Sequence, residues 1–181
     1  MKIVFAKEFR NNNRLQEIPD KMNGWYRWWA PVEAVENLLN SPYVHNKYFS
    51  DIVPFLTKRK FNNIEYYYIY TGISKSLRAR LDWHINQKHR ESNVKNGTLS
   101  TLRQTISSLV AGNQYDEKAT NELIDMLIIE YSVSEGALAE LEQNESVEIT
   151  NNVLPLNIKD NFNPILKYFK NELKAVRNRS K

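Results

Sequence analysis

The chain has 181 residues, no cysteine and a formal charge of +4, from 25 Lys plus Arg against 21 Asp plus Glu. The missing cysteine excludes a disulfide scaffold, a thiolate zinc site and a cysteine nucleophile, and 41% apolar with 25% charged residues excludes disordered and fibrous classes. No apolar run approaches the roughly 18 residues of a membrane helix, and Met1–Lys21 is polar where a secretory leader would be apolar, so a soluble, cytoplasmic single domain is the expectation.

In chain order, residues 1–20 are polar, with Ile3, Val4 and Phe5 able to add a short strand. Gly24-Trp25-Tyr26-Arg27-Trp28-Trp29 is dense in aromatics and predicts a strand. Pro31, tolerated in a first turn, opens a helix through about Leu39. Residues 41–60 read as an irregular basic stretch ending in Lys58-Arg59-Lys60. Ile64-Glu65-Tyr66-Tyr67-Tyr68-Ile69-Tyr70 predicts a second strand, terminated by Gly72. Ser74 is the candidate N-cap of a helix over about Lys75–Lys88, with Leu77, Leu81 and Ile85 as its buried stripe.

A further helix, Leu99–Val110, uses Leu102, Ile106 and Leu109 and stops at Gly112. Met126–Val133 predicts a third strand at the centre of the sheet, since its continuous apolar run suits burial on both faces. A helix over about Glu135–Glu148 follows, then Pro155-Leu156-Asn157, and Asn163-Pro164 starts a final basic helix over 163–180. The fold class expected is α/β, a small sheet of about three strands flanked by helices.

Charge is unevenly spread. Asp116–Glu148 holds ten acids and one base, Lys118, which leaves eleven acids against twenty-four bases elsewhere. That asymmetry points to a polyanionic partner. The candidate phosphate contacts are Lys47, Lys58, Arg59, Lys60, Lys75, Arg78, Lys88, Arg90, Lys95, Arg103 and, at the C-terminal end, Lys167, Lys170, Lys174, Arg177, Arg179 and Lys181.

The ordered set Gly24-Trp25-Tyr26, Tyr70-Thr71-Gly72, then Ser74, Leu77, Arg80, Leu81 and His84 on one helix, resembles the GIY-YIG nuclease superfamily. Leu141-Glu142 and Pro155-Leu156-Asn157 extend the resemblance, which covers about Met22–Asn157. It implies a small central antiparallel sheet and hydrolysis of phosphodiester bonds with one divalent ion, Mg²⁺ or Mn²⁺. Tyr26, Tyr70, Arg80, His84 and Asn157 would be the catalytic residues. Glu142 fits the metal-binding position best, and Glu145, one turn on, competes with it. Tyr26 is the candidate base or water-orienting group, needing a cation or hydrogen bond to lower its pKa. Arg80 can meet two phosphate oxygens at once and shares a helix face with His84, four residues on. His84, when neutral, accepts or relays a proton; when charged, it binds phosphate. Glu140 and Glu148 are read as a solvated face.

The sequence departs from the family pattern in two ways. Tyr26 and Tyr70 are 44 positions apart, with an inserted helix and basic loop over about 31–60 between strands that a tight hairpin usually joins, and Trp25 and Thr71 replace the usual Ile and Ile or Val. The expected activity is a metal-dependent endonuclease acting on DNA. A nuclease-fold DNA-binding module without catalysis and a basic protein-interaction domain are the alternatives.

Overall fold

A computed structural model describes residues 1–12 and 14–181. Its sheet is built from β1 (Lys2–Phe5), β2 (Asn23–Pro31), β3 (Lys58–Phe61), β4 (Ile64–Ser74) and β5 (Ile128–Ser134). All neighbours are antiparallel, in the order β1-β5-β2-β4-β3. The α/β class and antiparallel sheet are as expected, but there are five strands rather than three. The central strand is β2, not β5, whose both-faced burial reflects one strand on each side and helices above and below.

The additional strands come from opposite ends of the sheet. Ile3–Phe5 does pair, as part of β1 on the outer edge of β5. Lys58-Arg59-Lys60, expected in a loop, is β3, joined to β4 by Asn62-Asn63 with φ of 48° and 64°. Two successive positive φ values make the two-residue turn that matches strand twist, and charged residues suit an exposed edge.

Helices follow the apolar periods, with shifted ends: α1 (Ala6–Asn12), α2 (Val32–Leu39), α3 (Phe49–Ile52), α4 (Leu77–Asn86), α5 (Glu91–Lys95), α6 (Thr101–Ala111), α7 (Glu117–Asp125), α8 (Leu138–Asn151) and α9 (Lys167–Arg179). Ser74 does not cap α4. Its hydroxyl closes a turn with Ser76, and the helix begins at Leu77, whose N–H donates to the Met22 carbonyl at 2.9 Å. Nor does Gly72 end β4, which continues to Ser74 opposite Gly24. The α8 helix starts three residues later than expected, after a turn in which the Gly136 N–H donates to Ser134 Oγ at 3.1 Å.

The sheet separates two apolar clusters. Tyr26, Trp28, Ala30, Tyr67, Ile69 and Tyr70 pack with α2, α4, α6 and α9 on one face, and Trp29, Tyr66, Tyr68, Ile128, Ile149 and Leu154 form the other. Strand alternation would put Tyr70 with Tyr66 and Tyr68. A bulge prevents this. Trp28 pairs with Tyr70 and Trp29 with Tyr68, so Ile69 is an extra residue that turns Tyr70 onto the Tyr26 face.

Candidate active site

Tyr26 lies on the middle strand directly opposite Gly72. A Cβ at Gly72 would stand 2.3 Å from the Tyr26 hydroxyl and 2.5 Å from Cζ, so the phenol lies across the glycine in space no side chain could share. Gly24 does the same for the helix: a Cβ there would meet the Ser132 carbonyl at 2.5 Å and Leu77 at 2.7 Å. The two signature glycines therefore let a phenol and the start of α4 close onto the sheet.

Tyr26, Tyr70 and His84 form one aromatic group. The Tyr26 hydroxyl is 3.0 Å from His84 Nε2, the two tyrosine rings lie 6.4 Å apart, and the Tyr70 and His84 rings meet edge-on at 6.0 Å. All three are buried, Tyr26 at 2% exposure and Tyr70 at 8%. Burial pushes the Tyr26 phenol well above its ordinary range, with the neighbouring Tyr70 adding to it, and pushes Tyr70 up to about 12. Burial, then the charges of Arg80 and Arg103, lower His84 to about 3. This favours the neutral ring over the charged, phosphate-binding one. Its Nδ1 is buried with no hydrogen-bond partner among the described residues.

Arg80, half-buried one turn before His84, lies over the Trp83 ring at 4.8 Å and forms no ion pair among the described residues. With Trp83, Glu142, Glu145, Lys159 and Asp160 it lines an open cleft of about 830 Å³. The phenols sit beside this cleft, close enough to Arg80 and Glu145 for the guanidinium to lower both pKa values and the carboxylate to raise them.

Of the two acidic candidates, Glu142 is exposed while Glu145 is half-buried and turned towards the tyrosines. Burial raises the Glu145 carboxyl, partly offset by the Ile73 N–H and by Lys159, and it has no ion-pair partner among the described residues. No group of three acidic or histidine side chains able to hold a metal ion is found among the described residues. One half-buried, uncompensated carboxylate at an open cleft, with Glu142 a turn away, fits a hard divalent cation that keeps most of its waters.

Asn157 stands apart. Its Oδ1 accepts from the Thr71 N–H at 2.9 Å and its Nδ2 donates to the Thr71 carbonyl at 3.0 Å, so the amide is engaged at both ends by the strand between Tyr70 and Gly72. This is a positioning geometry. Glu148 is not on a solvated face either: it accepts from Arg27 Nε at 2.9 Å and from the Tyr68 hydroxyl. Of the expected phosphate contacts, Arg103 is fully buried, donating to the His84 and Ile85 carbonyls and to His89, and Lys170 is buried too. Arg59 is tied to the buried Glu130 at 3.0 Å, and Arg78 to Asp20 at 2.8 Å. Trp83, Lys159 and Asp160 were not anticipated. The three-residue spacing of Arg80 and Trp83 was a readable signal for the first, whereas nothing local marks the other two.

No curated protein and no solved structure matches the chain. The family model of the GIY-YIG catalytic domain matches residues 24–179, which takes in every residue of this cleft and also α9, beyond the Asn157 limit of the sequence resemblance. Both signature tyrosines, their glycines and the helix carrying Arg80 lie within that span, and the chain belongs to the GIY-YIG nuclease superfamily.

Proposed function

We propose that the chain is a divalent-metal-dependent endonuclease that hydrolyses DNA phosphodiester bonds in the cleft between α4 and α8. The observation that carries this reading is convergence. Tyr26 and Tyr70 from two strands, Arg80 from α4 and Glu145 from α8 act electrostatically on one another across 119 positions of sequence. Structural packing has no need of an unpaired guanidinium facing an unpaired carboxylate over two buried phenols.

Hydrolysis requires a positioned water, stabilisation of the charge gathering on phosphorus, and help for the leaving oxygen. A divalent ion bound at Glu145 would supply Lewis-acid polarisation of the phosphoryl group. Arg80, with no carboxylate to satisfy, is free to fork two non-bridging oxygens. The phenols beside the cleft are neutral, because burial outweighs Arg80; in this reading their hydroxyls serve as hydrogen-bonding groups for water or a phosphoryl oxygen. His84 holds the Tyr26 hydroxyl at 3.0 Å. Protonating it at neutral pH would cost about four pKa units, roughly 5 kcal/mol, so it serves as an orienting partner and not as the base.

The test is incubation of purified protein with plasmid DNA and Mg²⁺ or Mn²⁺. Cleavage is expected to vanish with EDTA and to fall at least about a hundredfold in Arg80→Ala, the scale of losing one transition-state charge stabiliser. Glu145→Gln is expected to fall as far, and Glu142→Gln only severalfold. Activity that survives both Arg80→Ala and Glu145→Gln would end this reading.

A further inference from the structure

The basic residues of α9 are not equivalent. Lys170 is buried against the Asn161 carbonyl and Arg179 donates to the Tyr43 carbonyl. Lys174 and Arg177 instead share one face of α9 at three-residue spacing, and with Gln104, Asn178 and Lys181, which follows the helix, they line a pocket of about 310 Å³ that contains no acidic side chain. Among the described residues none of these three cations forms an ion pair.

Arg177 is held in place by buried polar groups. Gln104, 8% exposed, donates Nε2 to the carbonyls of Gly97 at 3.1 Å and Leu99 at 2.5 Å, which leaves Oε1 to accept from Arg177 Nη2 at 2.6 Å. The last turn of α9 is clamped by buried Gln114, whose Nε2 donates to the Arg177 carbonyl at 3.0 Å, and by the Ser108 and Ser180 hydroxyls, 2.7 Å apart. The clamp thus fixes a half-buried guanidinium that has no carboxylate of its own, an arrangement that costs free energy unless an anion arrives from outside. Burial accordingly lowers Arg177.

We propose that Lys174 and Arg177, the latter preset by Gln104, form a second phosphate site that takes another phosphodiester group of the substrate backbone than the one cleaved. The guanidinium supplies a fixed fork for two oxygens and the lysine a mobile point charge. This inference rests on the nuclease reading and adds a second substrate contact to it.

The experiment is fluorescence anisotropy of a labelled mixed-sequence duplex in EDTA across a salt series, with cleavage kinetics in Mg²⁺ on the same proteins. Arg177→Gln and Lys174→Gln are each expected to reduce the slope of log K against log salt by about 1 and to weaken binding about tenfold near 0.1 M salt. Arg177→Lys should recover the slope, and Lys118→Gln on α7, exposed and far from the basic face in sequence, should leave slope and affinity unchanged. In cleavage, Arg177→Gln should raise KM more than it lowers kcat. Lys174 is exposed, so its variant carries the test if Arg177→Gln fails to fold. Wild-type slope and KM in both glutamine variants of an active nuclease would overturn the phosphate site alone. A wild-type protein that neither binds nor cleaves the duplex would overturn the nuclease reading with it.

Discussion

Gly72 sets the tightest constraint on the site. An alanine there puts a methyl group within 2.3 Å of the Tyr26 oxygen, and the phenol must swing away from His84 to make room. Gly72→Ala is therefore expected to lose cleavage nearly as completely as Tyr26→Phe while the strand pairing holds. The check is activity beside a circular-dichroism spectrum unchanged from wild type. Tyr26, Tyr70 and Arg80 were legible in the sequence because signature glycines and helix spacing locate them without knowledge of packing. The difference in burial between Glu142 and Glu145 was not. It depends on which side of α8 packs inward and where that helix starts, after a turn at Ser134–Gly136 that no periodicity reveals. The neutrality of His84 was equally hidden, because desolvation is a property of the assembled core.

At the scale of elements, β3 covers the outer side of β4 only as far as Tyr67, which would leave the signature end with an open edge. The chain after α8 fills that edge. The Leu156 N–H donates to the Ile69 carbonyl at 3.1 Å, and the Asn157 amide imitates a strand residue by taking both the N–H and the carbonyl of Thr71. Asn157→Ala leaves two buried backbone groups unpaired, each costing about 1–3 kcal/mol. A fall in stability of that order is expected in denaturant titrations, with kcat reduced more than KM because Tyr70 is displaced and no substrate contact is removed. Asn157→Asp, which keeps only the accepting half, should lie between the two. The strands and main helices could be read from aromatic runs and apolar spacing. The hairpin at Asn62-Asn63 was missed because three consecutive bases in Lys58–Lys60 resemble a solvated loop unless the asparagine pair is weighed as a turn.

For the whole molecule, acid is the condition that probes the site's burial most directly. Burial lowers His84 to about 3 and His89 to about 4, whereas both titrate near 6.5 in an unfolded chain. The unfolded state thus binds more protons below that value. The stability due to the two neutral histidines is complete above about pH 6.5 and is lost as pH falls towards their folded values. The melting temperature is expected to drop between about pH 7 and pH 5, and to drop less in a His84→Gln, His89→Gln double variant; identical pH profiles would refute the assignment. The bulge at Ile69 also governs how such a molecule can change over time. Lengthening the chain between β2 and β3 leaves the pairing of β2 with β4 untouched, which is how 44 positions come to separate the two tyrosines. Gaining or losing one residue between Tyr66 and Ile69 would instead send the second phenol to the α8 side, so the number of residues in that short stretch is as constrained as their burial.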